Sequence, residues 1–192
     1  MILECIVTTI NADGSTNVAP MGPIVEDESF QSFVLRPFQS STTFVNLNRS
    51  RAGVLHVTDD VGLFVDGALN SFDELPELED ASAVAGRILK DCCRFFEFTV
   101  TNINASNPRT ELSCRLVNQG EKRPFLGFNR AKHAVLELTI LATRIHILEK
   151  EMIAQQHAIH KSAVDKTGSA NDLKAFRKIE SYLRKNEIEI CT

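Results

Sequence analysis

The chain has 192 residues and a mass of 21.4 kDa, and 43% of its residues are hydrophobic while 24% are charged. A chain of this length and composition can bury a core without disulfides or structural metals. Because domains most often hold roughly 100–150 residues, we expect one domain with an appendage or two small domains. The net charge of −4 argues against a general nucleic-acid-binding protein, whose affinity depends on lysines and arginines.

No segment has the pattern of a membrane span or a secretory leader. No apolar run approaches the roughly 20 residues that cross a bilayer, and the N-terminal MILECIVTTI lacks a basic region and a small-residue cleavage site. We therefore predict a cytoplasmic protein without a membrane partner. The cysteines are odd in number and lack CxxC spacing, which predicts reduced thiols instead of a disulfide framework or a zinc site. They are Cys5, Cys92, Cys93, Cys114 and Cys191.

Alternating hydrophobicity predicts about six short strands before residue 118. Asp13-Gly14 provides a hairpin turn between the first two strands, and Pro37 ends the third strand. The predicted strands cover residues 2–10, 16–21, 30–38, 54–58, 95–103 and 112–117.

Two helices are predicted to interrupt the strands. Residues 41–47 open with N-cap residues, and Pro76 followed by acidic residues is typical of a helix start. The apolar stripe of this second helix is Leu78, Ala81, Ala85, Ile88 and Leu89. Residues 59–80 contain eight acidic residues and no basic residue, which favours a solvated acidic loop.

The C-terminal third has a helical period. Apolar residues recur at three- and four-residue intervals from Ala134 to Leu148, which predicts the longest helix, with about five turns. Helices over 151–164 and around Leu173–Leu183 follow, separated by a break at 167–169. Residues 1–128 carry 10 basic and 17 acidic residues, whereas 129–192 carry 11 and 8. The composition therefore indicates a strand-rich part and a differently built helical part.

The segment Leu35–Leu47 is the strongest candidate binding motif. A strand that ends in Arg36 is followed by a hydroxyl-rich turn and a helix, so free N–H groups, hydroxyls and one guanidinium favour a phosphate dianion. Alternatively, Ser41 only caps the helix and Arg36 forms a surface ion pair. The residue types by themselves do not decide between these interpretations.

A second candidate is Asn17–Pro23, where small residues, two prolines and a glycine follow a strand. Proline removes ladder donors and glycine permits close approach to the backbone, so a flat ligand can lie against the end of this strand. A sheet edge protected from pairing is the simpler explanation of the same residues.

Four blocks in order resemble the DUF447 family of prokaryotic proteins, which has the FMN-binding split-barrel fold. They are Thr8–Gly22, Leu35–Leu47, His56–Asp60 and Phe128–Leu148, and together they span essentially the whole chain. The resemblance implies an α+β chain in which a six-stranded Greek-key split β-barrel with inserted short helices occupies residues 1–124. A C-terminal helical subdomain at 125–192 would be packed on the barrel.

The resemblance also implies a homodimer that binds FMN at its interface. In this sequence the phosphate positions correspond to Arg36, Ser40, Ser41, Thr42, Thr43 and Asn46, and the ring positions to Ala19, Pro20, Met21 and Gly22. The sequence lacks the rich basic cluster of the related pyridoxamine phosphate oxidases, and Arg36 is the one evident cation at the phosphate site.

The first hypothesis is therefore a homodimeric flavoprotein with a redox role towards a small molecule, with no catalytic residue assigned and the substrate unknown. The alternative is a non-redox binding protein or assembly factor that holds a phosphorylated or heterocyclic ligand in the same barrel. A structural partner protein without a small ligand is a third possibility. No GxSxG, HExxH, GxGxxG or Walker motif occurs.

Three remaining clusters have simpler interpretations. His157 and His160 stand three apart on a predicted helix, but no Glu or Cys ligand lies at a helpful spacing, so no metal site is expected and both histidines are predicted to face solvent. Cys92 and Cys93 are predicted to be buried, unreactive thiols. The basic start of the longest predicted helix, Asn129–His133, faces either a ligand, a partner's acidic loop at 59–80 or solvent.

Overall fold

The computed structural model describes residues 1–27 and 29–190, so Cys191 lies outside the described residues. The chain forms two compact units. We call Met1–Thr58 with Glu74–Phe125 the barrel unit, and Asp59–Asp73 with Leu126–Thr192 the helical unit. Residues 59–73 therefore belong with the C-terminal helices, although the predicted boundary at 124/125 assigns them to the first domain.

Nine strands and five helices make up the described chain. The strands are β1 Cys5–Ile10, β2 Thr16–Met21, β3 Ile24–Val25, β4 Ser32–Leu35, β5 Ala52–Val57, β6 Leu78–Asp80, β7 Arg87–Leu89, β8 Arg94–Asn104 and β9 Glu111–Glu121. The helices are α1 Thr42–Ser50, α2 Val61–Leu69, α3 Arg130–Ala142, α4 Lys150–Thr167 and α5 Ala170–Lys185.

Seven strands form one curled antiparallel sheet in the order β2-β1-β5-β8-β9-β4-β3. The predicted β1–β2 hairpin is confirmed, and Gly14 supplies the positive φ of 87° that its tip requires. At the far side of the sheet, Ile24 in β3 forms an isolated bridge with Ile2, just before β1. The sheet therefore curls into a half-barrel with seven strands, one more than the six predicted.

The inner face of this sheet holds the aromatic core of the barrel unit. Phe30 stacks on Phe96 with ring centroids 4.2 Å apart, and Phe33 meets Phe98 edge-on at 5.3 Å. Gly53 lets Phe98 approach the neighbouring strand, because a Cβ at residue 53 would lie 2.8 Å from Phe98 Cζ. The ring pairs therefore join β4 and the residues before it to β8, and the approach of Phe98 to Gly53 packs β8 against β5.

The predicted helix after Pro76 is wrong, because the segment forms the β6–β7 hairpin. Buried polar side chains on three adjacent strands hold this hairpin against the sheet. Thr8 on β1 donates to the Arg87 carbonyl, and His56 on β5 accepts the Leu89 N–H at 3.1 Å. Glu97 on β8 binds the hairpin loop. This tertiary capture outweighs the helical spacing of the apolar residues.

Glu97 is buried and binds several donors at once. Its carboxylate accepts the backbone N–H groups of Ala83 and Val84 at 2.6 and 3.0 Å, and Asn118 donates to it at 2.8 Å. Burial by itself would raise the pKa of Glu97, but the hydrogen bonds from Asn118, Ala83 and Ser82 together outweigh burial, so the pKa is lowered. The carboxylate therefore stays ionised and organises the loop.

Helix α2 replaces part of the predicted acidic loop. Asp60 caps it by accepting the Gly62 N–H, and Asn70 ends it in the left-handed conformation at φ 50°. Val61 and Val65 on α2 join the apolar core of the helical unit, which α3, α4 and α5 complete. Of the eight acidic residues, Asp66 lies within this helix and Asp60 is its N-cap, so the charges before and after the helix dominated the sequence pattern.

Three helices follow in the helical unit as predicted, with different lengths. Helix α3 ends at Ala142, so it is shorter than predicted, and the 18-residue α4 is the longest helix. A capping box of Ser169 and Asp172 starts α5 after the predicted break. Across residues 1–27 and 29–190, every helix is too short or too polar to cross a membrane.

Candidate functional site

The turn between β4 and α1 is built around the hydroxyl of Ser41. Ser41 Oγ accepts the Phe44 N–H at 3.2 Å and donates to the Phe38 carbonyl at 2.7 Å. Both hydrogen bonds serve the helix start, so Ser41 is the N-cap residue that the simpler interpretation of this motif predicted. Its neighbours Ser40 and Thr42 are exposed, and the first N–H groups of α1 lack acceptors within the helix.

Arg36 lies beside this turn and is about half exposed. Its Nε is 3.9 Å from Glu111 Oε1, so the surface ion pair of the simpler interpretation is present. Exposed pairs of this kind contribute roughly 0–1 kcal/mol, so Glu111 holds Arg36 only weakly. The guanidinium can therefore exchange the carboxylate for a more highly charged anion.

A second arginine, Arg109, lies at this turn, and the sequence alone did not connect it with the β4–α1 segment. Arg109 precedes β9 and pairs with Phe38 in an isolated bridge. Its Nε donates to the Arg36 carbonyl at 3.2 Å, and its guanidinium carbon lies 5.5 Å from the centre of the Phe38 ring. The turn therefore carries two cations, although Arg36 and Arg109 are 73 residues apart in the chain.

Thr43 and Asn46 of α1 point into the protein and are only 3% and 4% exposed. Asn46 Nδ2 donates to Thr9 Oγ1 at 3.0 Å and to Asn11 Oδ1 at 2.8 Å. Thr43 Oγ1 accepts from Asn17 Nδ2 at 3.1 Å. These two predicted phosphate residues therefore have side chains engaged in a buried polar network beneath the helix, which Ser40 and Thr42 do not join.

The second predicted group, Ala19–Gly22, runs to the end of β2 and is half-buried. Strand β2 pairs with β1 alone, so it is a sheet edge, as the simpler explanation of its proline suggests. Packing also explains the glycine at position 22, because a Cβ there would lie 2.9 Å from Ile2 Cγ2. The Asn17–Thr43 hydrogen bond joins this strand to the first turn of α1.

The other clusters have mostly structural roles. Cys92 and Cys93 are buried as predicted, and burial raises the pKa of Cys92 to about 12. Lys132 donates to the Asp59 carbonyl at 2.6 Å and pairs with buried Asp172 at 3.4 Å, within the helical unit. Among the described residues, no group of three His, Cys, Asp or Glu is arranged to hold a metal ion.

The solvent-facing position predicted for His157 is wrong. Its side chain is buried, its Nε2 lies 2.9 Å from Glu180 Oε1, and its ring stacks on Phe176. The pairing with Glu180 comes from α5 packing on α4, which the spacing of histidines on one helix cannot reveal.

The fold is shared with flavin-binding split-barrel proteins. An FMN-bound member of the DUF447 family from Methanosarcina mazei is 26% identical, with 94% of each chain covered and a TM-score of 0.75. The flavin reductase of styrene monooxygenase from Pseudomonas putida S12 is 12% identical over 63% of this chain and 80% of its own, with a TM-score of 0.51. Flavoredoxin from Methanosarcina acetivorans is 11% identical over 64% and 74%, with a TM-score of 0.53.

The last two structures are related to this chain by fold alone, and they confirm the predicted split barrel. No curated protein matches the sequence. The model for the N-terminal domain of the protein of unknown function DUF447 matches residues 3–123, and the model for the protein of unknown function DUF447 matches residues 129–181. These matches agree with the resemblance in the four sequence blocks, and the chain belongs to the DUF447 family.

Proposed function

We propose that this protein binds FMN in its barrel unit and is a redox flavoprotein that acts on a small molecule. The observation that carries the proposal is the likeness to the FMN-bound family member from Methanosarcina mazei over 94% of both chains. We propose the phosphate at the start of α1 and the flavin ring along the end of β2.

The donor set at the start of α1 fits a phosphate dianion. Arg36 and Arg109 supply two positive charges, Ser40 and Thr42 supply exposed hydroxyls, and α1 adds unpaired N–H groups at its positive end. Because Ser41 already caps the helix, its expected contribution is to hold the turn in shape. Charge-assisted hydrogen bonds of this kind are the strong ones, so the phosphate is expected to be the main anchor.

The end of β2 fits a flat ring through its shape. Ala19 and Gly22 have little or no side chain, and Pro20 has no N–H that would pair with a further strand. A half-buried edge therefore remains accessible on the strand whose Asn17 contacts the first turn of α1. Bound FMN would supply the electron-transfer chemistry, while this chain would position the cofactor and shield one face of it.

We further propose that the protein works as a cytoplasmic homodimer. Phe38 and Val45, both more than half exposed, lie on the turn and on α1 next to the proposed phosphate site. A second copy packed there would cover these side chains and help to enclose the cofactor. Light scattering coupled to gel filtration measures the mass directly, and a mass near 21 kDa for the FMN-loaded protein would contradict the dimer.

The FMN proposal is tested with the protein as purified and after addition of FMN. Absorbance bands of oxidised flavin, and mass spectrometry of the molecule released by heat, should identify FMN. Colourless protein that takes up no added FMN would overturn the proposal. Anaerobic addition of NADH or NADPH then tests the redox role, because bleaching of the flavin bands shows electron transfer from a nicotinamide.

The non-redox alternative keeps the same site without electron transfer. It predicts a bound phosphorylated or heterocyclic ligand other than flavin, or a bound flavin that neither NADH nor NADPH reduces. The exposed, doubly cationic turn supports either ligand, since a phosphate is recognised by the same groups in both cases.

A further inference from the structure

A polar network connects the tip of the β1–β2 hairpin with the first turn of α1. At the tip, Ser15 Oγ donates to Asp13 Oδ1 at 2.6 Å, and Asn11 Nδ2 donates to Ser15 Oγ at 2.8 Å. Asn46 Nδ2 in α1 donates to Asn11 Oδ1 and to Thr9 Oγ1. The network thus reaches from an exposed carboxylate to buried hydroxyl and amide groups within the barrel unit.

The carboxylate of Asp13 sets the direction of these hydrogen bonds. Hydrogen bonds from Ser15 lower the pKa of Asp13, so at neutral pH its carboxylate is ionised and only accepts. Ser15 must therefore donate to it and accept from the Asn11 amide. Asn11 Oδ1 then accepts from Asn46, whose amide is fixed as a donor. The network consequently has one arrangement, which holds α1 against β1.

Asn17 on β2 adds the connection to the predicted ring site. Its Nδ2 lies 3.2 Å from Thr9 Oγ1 and 3.1 Å from Thr43 Oγ1. The hydrogen bond to Thr43 joins a side chain of β2 directly to a side chain of α1. Asn17 and Ala19 also lie on the same face of β2, because side chains two apart in a strand share a face. The amide of Asn17 therefore contacts the first turn of α1 from the face of β2 that also carries Ala19.

We infer that Asn17 is a positioning residue that fixes the first turn of α1 for the phosphate of FMN. The inference rests on the proposed function, because it assigns a role at the same site. By holding Thr43 in place, the amide keeps the N–H groups of the first turn aimed at the anion. The ring site on β2 does not depend on this hydrogen bond, since Ala19 remains paired with Val7 on β1.

The experiment compares FMN with riboflavin, which has the same ring and no phosphate. In the Asn17→Ala protein, we expect the Kd of FMN to rise about tenfold, which corresponds to the loss of roughly one well-placed hydrogen bond. The Kd of riboflavin should change by less than about twofold on the same scale. A general structural defect would weaken both ligands alike, so the ratio of the two Kd values is the informative readout.

Thr43→Val removes the same contact from the helix side at nearly constant volume. Because Asn17 acts through Thr43, adding Asn17→Ala to the Thr43→Val protein should leave the FMN-to-riboflavin ratio unchanged. Asn48→Ala is the matched control, since Asn48 is an exposed asparagine of the same helix. Thermal unfolding without ligand tests whether each variant is folded. If the Asn17→Ala protein does not fold, the Thr43→Val protein provides the test.

The outcomes separate the two proposals. If the unaltered protein binds neither FMN nor riboflavin, the proposed function fails. If FMN binds and the Asn17→Ala and Thr43→Val changes alter both Kd values equally, the positioning role is overturned while flavin binding stands. Additive effects of the two changes on the ratio would also overturn it.

Discussion

At the scale of single residues, His56 is a neutral histidine kept in the core by two specific partners. Its Nδ1 lies 3.2 Å from the Ile6 carbonyl, and its Nε2 accepts the Leu89 N–H. This pairing requires the tautomer that carries its proton on Nδ1. Burial lowers the pKa of His56 from 6.5 to about 3, because the charged ring would lose its hydration.

This shift predicts an acid-sensitive contribution to stability. The unfolded chain binds a proton at His56 below pH 6.5 and the folded chain does not, so stability falls as the pH drops from about 6.5 towards 3. Between pH 7 and pH 5 the free energy of unfolding should fall by about 2 kcal/mol because of this residue. Urea unfolding of the unaltered protein and of His56→Gln measures it.

The glutamine variant keeps one donor and one acceptor but cannot take up a proton in this range. Its stability should therefore depend less on pH than that of the unaltered protein. Equal slopes for the two proteins between pH 7 and pH 5 would contradict the buried neutral state of His56.

The two arginines of the turn provide a second prediction at the residue scale. Arg36→Ala and Arg109→Ala should each weaken FMN binding by about 1.5–3 kcal/mol, the range for a hydrogen bond to a charged group, with little effect on riboflavin. Fluorescence titration of flavin measures both. Arg115→Ala, an exposed arginine on the facing strand, serves as the control. If neither change affects FMN affinity, the phosphate lies elsewhere.

At the scale of elements, the β6–β7 hairpin depends on the carboxylate of Glu97. Glutamine at this position has one acceptor oxygen and would place an amide against backbone N–H groups, leaving at least one half-buried N–H donor without its partner. Glu97→Gln should therefore speed hydrogen exchange at Ser82–Val84 by at least about tenfold, in line with roughly 1–3 kcal/mol of lost protection.

The exposed Glu77, which pairs with Lys90, is the control for this change. Glu77→Gln should leave exchange in the hairpin loop nearly unchanged, because exposed ion pairs contribute little. A loop that is equally protected in the Glu97→Gln protein would show that the carboxylate does not organise it.

Helix α1 offers a separation of folding from binding within one turn. Ser41→Ala removes the N-cap hydrogen bond and should lower the free energy of unfolding by about 1 kcal/mol. Ser40→Ala, at an exposed hydroxyl one residue earlier, should leave stability unchanged in the absence of ligand. Chemical denaturation of both variants checks this, and equal stability losses would mean that Ser41 is not the cap that matters.

The elements also show where sequence patterns succeed and where they fail. The β1–β2 hairpin and the start of α1 were predictable because Asp13-Gly14 and Ser41 act locally. The β6–β7 strands have only three residues each, which is too short for alternation to appear, so the helical spacing after Pro76 was misleading. Helix α2 does carry a signal in Val61, Phe64 and Val65, which the acidic residues around it obscured.

The candidate site was predictable in its local part and not in its tertiary part. The β4–α1 turn is one continuous segment, so its hydroxyls and Arg36 were visible in the sequence. Arg109 and the Asn17–Thr43 contact depend on strand pairing and helix packing, which bring distant segments together. The burial of Thr43 and Asn46 likewise follows from the face of α1 that packs on β1, and one short helix does not specify it.

At the scale of the whole molecule, the helical unit is assembled from two separate stretches of chain. Lys178 on α5 donates to Asp66 Oδ1 at 2.6 Å and to the Ser71 carbonyl at 3.2 Å, and α2 shares an apolar core with α3 and α5. Cleavage between the units would therefore leave a helix of the N-terminal fragment bound to the C-terminal fragment.

Limited chymotrypsin digestion tests this arrangement. Leu126 and Phe128 are strongly exposed, so a cut in this connection is expected. The two fragments should elute together in native gel filtration and separate only in denaturant. Val65→Asp, which puts a charge into the α2 contact, should let them separate without denaturant. Independent elution of the fragments from the unaltered protein would contradict the shared core.

The divided helical unit has a consequence for synthesis on the ribosome. The apolar side of α2 is complete when residue 69 has been made, but its partners in α5 extend to Leu183. At roughly 5–20 residues per second, this helix waits on the order of ten seconds for its partners. Asp60 caps this helix, and Asp66 later binds Lys178. Until α5 has been made, these two carboxylates give the segment a charged surface that opposes association with neighbouring nascent chains.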